Sequence, residues 1–240
     1  PDEFESAMQA MQHRVDGMIV MAPELADEDA GAIIRAPGRI LFVNTYISSE
    51  RVNVLNFDNY GGARALTKHL LDLGHRRIAL IRGPAGAHDA RERARGYRDA
   101  MKDAGLTPLA DLEYAGDYTQ EAGYRAAETI LQSDLLPTAI VAANDYCAMG
   151  ALQALSEAGI AVPKQMALTG FDGITSGRYT QPAITTALVP IRDIGRQAVR
   201  RLLNILDGNG EAEHVIVPVD IVTRASTCES EAEFAARDAG

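Results

Sequence analysis

Ala139-Ile-Val-Ala-Ala-Asn-Asp145 and Met166-Ala-Leu-Thr-Gly-Phe-Asp-Gly173 bracket a segment in which Ala148, Ala151, Leu152, Leu155 and Ala158 recur at helical spacing. Each flanking stretch opens with an apolar run unbroken by charge, as a strand covered on both faces requires. Gly159 and Pro163 supply stop signals for the intervening helix. The stretch therefore reads as a βαβ unit. Its strands end at Asn144-Asp145 and at Asp172, and in an open parallel sheet ligands bind outside such carboxyl ends.

The same alternation runs outward in both directions. Upstream, strands are expected at 18–22, 39–43, 52–57, 78–81 and 112–114, and helices at 1–13, 27–34, 61–73, 89–104 and 120–131. Downstream, 184–188 is extended, and Ile194, Ala198, Leu202, Ile205 and Leu206 mark an amphipathic helix stopped by Asp207-Gly-Asn-Gly210. Strands at 215–217 and 219–222 are split by Pro218, and residues 229–240 form an acidic tail. Repeated alternation of this kind predicts a doubly wound α/β architecture.

Composition removes several function classes. With 23 basic against 33 acidic residues the net charge of −10 disfavours a nucleic-acid-binding surface in this stretch. Two cysteines, Cys147 and Cys228, make no disulfide framework, and five histidines show neither i,i+4 pairing nor cysteine partners for a metal. No apolar run approaches the ~18 residues of a membrane span. Neither a dinucleotide glycine fingerprint, a phosphate-binding P-loop nor a G-x-S-x-G nucleophile elbow occurs. An NAD-dependent oxidoreductase is accordingly disfavoured. No cofactor, no metal and no enzymatic activity are expected.

What converges instead is polar. Asn44, Asp58, Asn144, Asp145 and Asp172 stand at expected strand ends, Arg93 lies in the first turns of a helix after a strand, and Tyr118 lies just past another strand. Carboxylates accept from hydroxyls, an amide both donates and accepts, and arginine presents a planar fork. The set suits a small polyhydroxylated ligand. Plainer roles stand beside it: Asn144, Asp145 and Asp172 as helix caps or turn residues, Arg91, Arg93 and Arg95 as a solvated basic face, Tyr118 as packing.

Six stretches follow one another in order: Val15-Asp-Gly-Met-Ile-Val20, His69-Leu-Leu-Asp-Leu-Gly-His-Arg-Arg-Ile-Ala79, Ala90-Arg-Glu-Arg-Ala-Arg-Gly-Tyr97, Ala143-Asn-Asp-Tyr-Cys-Ala-Met-Gly150, Gly170-Phe-Asp-Gly173 and Pro182-Ala-Ile-Thr-Thr186. Together they resemble the effector-binding core of lactose-repressor-type bacterial transcription regulators. The closing Val222-Thr-Arg-Ala-Ser-Thr227 is similar as well. The resemblance implies two doubly wound parallel-sheet lobes of the type I periplasmic-binding-protein kind, with a ligand cleft between them. It implies an amino-terminal lobe from 1–58 plus 190–218, incomplete in this chain, and a carboxyl-terminal lobe from 59–189 plus 219–228.

The family's amino-terminal helix-turn-helix and the first strand, helix and second strand of its amino lobe have no match here. Effector contacts are implied for Asp58, Arg93, Tyr118, Asn144 and Asp172, with Asn44 and Asp145 as secondary candidates. Many pentose-binding relatives carry Asp-Arg where this chain has Asn44-Thr45, which weakens the case for ribose specifically. The implied function is allosteric: a sugar-like effector controls operator binding by a homodimer, through the unmatched amino-terminal domain, in the cytoplasm and away from membranes. The alternative of the same fold is a periplasmic sugar-binding protein of an ABC transporter.

Overall fold

The computed structural model describes residues 6, 10, 11, 14–23, 25, 39–209 and 212–228. The helices expected at 1–13 and 27–34 and the tail at 229–240 lie largely or wholly outside them. In chain order the elements are β1 (Met18–Met21), β2 (Ile40–Val43), β3 (Asn53–Phe57), α1 (Asn59–Asp72), β4 (Ile78–Ile81), α2 (His88–Asp103), β5 (Glu113–Tyr114) and α3 (Gln120–Leu131). They continue with β6 (Ala139–Ala142), α4 (Asp145–Glu157), β7 (Ala167–Asp172), β8 (Thr185–Leu188), α5 (Ile191–Leu206), β9 (His214–Val217) and β10 (Asp220–Val222). Two compact units result. Unit 1 takes the chain up to Asp58 together with Pro190–Pro218; unit 2 takes Asn59–Val189 and the chain from Val219 onward.

Unit 1 holds a four-stranded parallel sheet in the order β1-β2-β3-β9. Ile40, Phe42 and Val54 pack with Val20 and Ile47 on one face. Where β2 ends, Thr45 is fully buried: its Oγ1 accepts from the Ala22 N–H at 2.9 Å and donates to the Val43 carbonyl at 3.0 Å. The Asn56 side chain closes the same turn by accepting from the Thr45 N–H and donating to the Thr45 carbonyl. Thr45 therefore ties two strand ends together.

Unit 2 holds a six-stranded sheet in the order β10-β8-β7-β6-β4-β5, parallel except for β10. Period-two alternation sorts its strands between two helix layers. Ile78, Leu80, Ala139 and Val141 face Leu70 of α1 and Tyr97 and Ala100 of α2. Ala79, Ile81, Ile140 and Ala142 face Ala126 and Ile130 of α3 and Ala148, Ala151 and Leu155 of α4. The strand order reverses between β4 and β6, which makes that gap the switch point where open α/β sheets take their ligands.

β7 runs to Asp172, beyond the apolar run, because Phe171 and Asp172 continue the ladder opposite Ala187 and Leu188. Pro218 falls between two strands that join different sheets, β9 in unit 1 and β10 in unit 2. Gly74, with φ of 95°, ends α1 as a left-handed residue, and the following His75 N–H returns to the Leu70 carbonyl at 3.1 Å.

Each helix pair of unit 2 crosses on glycine. A Cβ on Gly150 of α4 would collide with the Gln120 carbonyl of α3, one on Gly123 with the Cys147 carbonyl, and one on Gly96 of α2 with the Tyr60 carbonyl of α1. Gly150→Ala and Gly96→Ala are therefore each expected to lower stability by about 1–3 kcal/mol in urea denaturation. Gly195→Ala, in α5 with open space around the glycine, is the control and should stabilise by about 0.5–1 kcal/mol.

Candidate functional site

In α2 the three arginines separate by helix geometry. Arg91 and Arg95, one turn apart, are exposed, while Arg93 shares the buried face of Ala90, Ala94 and Tyr97 and is only 5% exposed. Its Nε donates to Asn59 Oδ1 at 2.8 Å and one terminal nitrogen donates to the Ala143 carbonyl at 2.7 Å. The other lies 3.0 Å from Asp172 Oδ1. The guanidinium stacks on the Phe171 ring, 3.8 Å from its centroid, and lies 5.5 Å from the centre of the Tyr118 ring. Cation and carboxylate thus meet at the carboxyl ends of β6 and β7, beside the switch point.

Asn144 is the N-cap of α4: Oδ1 accepts from the Cys147 N–H at 2.9 Å, and Nδ2 donates to the Tyr118 carbonyl at 3.1 Å. The cap role weighed for Asp145 falls to Asn144, and Asp172 caps no helix, since the turn Thr175–Arg178 begins without a side-chain cap. Tyr118 is held at φ of 70°, which the Tyr118–Asn144 bond and the Thr119 cap of α3 enforce. Its ring approaches Gly83, where a Cβ would strike it. Its hydroxyl is buried without a well-formed hydrogen bond, and burial first, together with the nearby Asp89 carboxylate, pushes its pKa upward.

Asp145 is fully buried and points inward. Oδ1 accepts from the Thr186 hydroxyl at 2.7 Å and Oδ2 from the Ile174 N–H at 2.8 Å. Unit 1 places Asn44 at φ of 47° at the end of β2, with a buried Oδ1 that accepts no hydrogen bond among the described residues. Asp58 follows β3, its N–H donating to the Val217 carbonyl at 2.9 Å. Arg93, Tyr118, Asn144 and Asp172 are therefore brought together within unit 2, with Asp145 behind them. Sequence reasoning missed Asn59, Phe171, Thr186 and Asp89. Of these, only Phe171 and Thr186 lay inside quoted motifs. Among the described residues no cluster of metal-ligating side chains occurs, and no helix is long and apolar enough to cross a membrane.

A family model described as a periplasmic binding protein-like domain matches residues 67–227. The relative named "HTH-type transcriptional repressor PurR" of Haemophilus influenzae (strain PittEE) is 30% identical over 222 residues, 92% of this chain and 66% of the relative. Among solved structures, a sugar-binding transcriptional regulator of the LacI family from Escherichia coli, complexed with phosphate, superposes with a TM-score of 0.86. It is 28% identical, covering 94% of this chain and 82% of that one. The chain belongs to the lactose-repressor family. The lac repressor dimer bound to operator and an anti-inducer is a further family neighbour, at TM-score 0.84 and 30% identity over 93% of this chain and 67% of its own. The chain thus spans about two-thirds of the length of the curated relatives it matches.

Burial raises the Asp145 carboxyl to about 6, against the lowering effect of the Thr186 and Ile174 hydrogen bonds. An unfolded chain releases this proton near its ordinary value of 3.8, whereas the folded chain holds it until about 6. Stability from this group therefore falls as pH rises across that interval. Between pH 4 and 6.5 the native protein should lose up to about 3 kcal/mol relative to Asp145→Asn, read as diverging urea midpoints.

Proposed function

We propose that this chain is the effector-sensing core of a bacterial transcription repressor, and that it takes a neutral polyhydroxylated ligand, a sugar or sugar derivative, at the Arg93–Asp172 pair. The observation that carries this reading is a buried cation presented beside a partly exposed carboxylate at a sheet switch point. Three of the five guanidinium N–H groups of Arg93 are used among the described residues, so two remain to donate. Asn144 keeps one N–H, and Asp172 keeps acceptor capacity. A hydroxyl both donates and accepts, so sugar hydroxyls satisfy all three. A phosphate would satisfy the two donors but meet like charge at Asp172.

Tyr118, Asp58 and Asn44 stay candidate contacts on the resemblance. The regulated output is operator binding by an amino-terminal helix-turn-helix of the whole protein, acting as a cytoplasmic homodimer. Effector binding favours one of two conformations, and a coupling of about 1–3 kcal/mol is the usual scale. A transporter-associated periplasmic protein is the less favoured reading, because the relatives are named as repressors.

A thermal-shift screen against glucose, galactose, ribose, lactose, cellobiose, their phosphates, polyols and nucleobases tests the proposal. A neutral sugar or polyol is expected to raise the melting temperature. Calorimetry should then find its affinity about 100-fold weaker or lost in Arg93→Ala and Asp172→Ala, with far-UV circular dichroism retained. Unchanged affinity in both variants would remove the site.

A further inference from the structure

Asp145 is fully buried with both carboxylate oxygens engaged, and its partners flank Asp172. Thr186, on β8, donates to Asp145 Oδ1 and also accepts from the Gly173 N–H at 3.2 Å. Ile174 donates to Oδ2. The two residues that follow Asp172 are thus gripped through consecutive N–H groups, one directly and one through a hydroxyl.

The grip acts on a segment that needs it. Asp172 has φ of 94° and Gly173 φ of 73°, two left-handed residues in succession. A left-handed aspartate is uphill by about 1 kcal/mol or more and persists only where its surroundings over-determine it. The seat for the buried carboxylate is equally specific. Gly170 pairs with Thr186 across the ladder, and a Cβ on Gly170 would collide with Asp145 Oδ1.

We propose that Asp145 is a positioning residue: through Thr186 and Ile174 it locks the Gly173–Ile174 turn so that Asp172 faces Arg93 and the ligand. The proposal rests on the sensing role of that pair. Only the carboxylate can fill the post, because it offers two acceptors to two donors, whereas the protonated acid and asparagine each keep one oxygen as acceptor and place a donor at the other position.

A pH dependence follows. The charged groups that bear on Asp145 are Asp172, which opposes its ionisation, and Arg224, which favours it; Arg178 bears in turn on Arg224. The Thr186 and Ile174 bonds lower the Asp145 pKa against the effect of burial, so a local opening that breaks them while the carboxyl stays buried raises it, and the lock tightens as pH rises through about 6, the opposite sign to global unfolding.

Amide hydrogen exchange by NMR reads the lock without any ligand. In the native chain, protection of Gly173 and Ile174, corrected for intrinsic exchange, should rise between pH 5 and 7. Asp145→Asn should lower protection of Ile174 about tenfold or more at pH 7 and flatten the pH profile, and Thr186→Val should do the same at Gly173. Affinity for sugars of the screened panel should weaken in both variants although Arg93 is intact. Protection within twofold of native in both variants overturns the proposal. Should Asp145→Asn not fold, native-like protection in Thr186→Val together with a flat native pH profile overturns it. Because exchange needs no sugar, a panel without a binder would count against the sensing reading and leave the exchange result to decide the lock.

Discussion

A guanidinium ion taken out of water has to be compensated where it lies, since removing such an ion from solvent costs several kcal/mol. Arg93 meets this demand with a carboxylate, a backbone carbonyl, an amide oxygen and an aromatic face, drawn from three different segments. Asn59 opens α1, Ala143 ends β6, and Phe171 and Asp172 end β7. A single side chain on α2 therefore fixes the spacing of the helix layer and two neighbouring strand ends. Little of this is a gain in stability, because well-packed apolar residues would serve folding as well. Its yield is a fixed cation beside a fixed anion, and that is a binding property.

The backbone carries the same signature. Among the described residues only Asn44, Tyr118 and Asp172 combine a side chain with a left-handed φ. All three stand where a chain leaves a strand or enters a helix, and all three had been singled out for their chemistry. Asparagine and aspartate tolerate this conformation through their short polar side chains, whereas tyrosine does not. Tyr118 is held there by the bond from Asn144 to its carbonyl and by the cap of the helix that follows. Strain concentrated at three candidate contact positions is the pattern that pre-organisation of the proposed site requires.

Much of this was legible in the sequence, for reasons particular residues make plain. The helix Ile191–Leu206 and the strand Ile78–Ile81 declare themselves because their apolar patterns end on glycine-bearing stop signals, Asp207-Gly-Asn-Gly210 and Arg82-Gly83. Arg93 could have been separated from Arg91 and Arg95 by helix phase alone, since it shares a stripe with Ala90, Ala94 and Tyr97. Other parts lay beyond reach. That β7 extends through Asp172 depends on its partner strand, which no local pattern encodes. Asn59, Thr186 and Asp89 sit in helices and strands as ordinary polar residues, and only the tertiary arrangement brings them to Arg93, Asp145 and Tyr118. A left-handed φ at tyrosine leaves no trace in composition or periodicity.

The adjacent Asn144 and Asp145 show how little freedom such a site leaves. Both stand at the start of α4, where orphan N–H groups and the helix dipole favour oxygen and negative charge. One side chain folds back along the helix and the other turns under the sheet. The outward position must accept from Cys147 while donating to Tyr118, and of the two side chains only the amide does both. The inward position must accept twice, from Thr186 and Ile174, and a carboxylate alone does that. Exchanging the two would set an acceptor against the Tyr118 carbonyl and a donor against one of the two donors at Asp145, the Thr186 hydroxyl or the Ile174 N–H, with net composition and charge unchanged. The order of the two residues, rather than their presence, is therefore what the geometry requires.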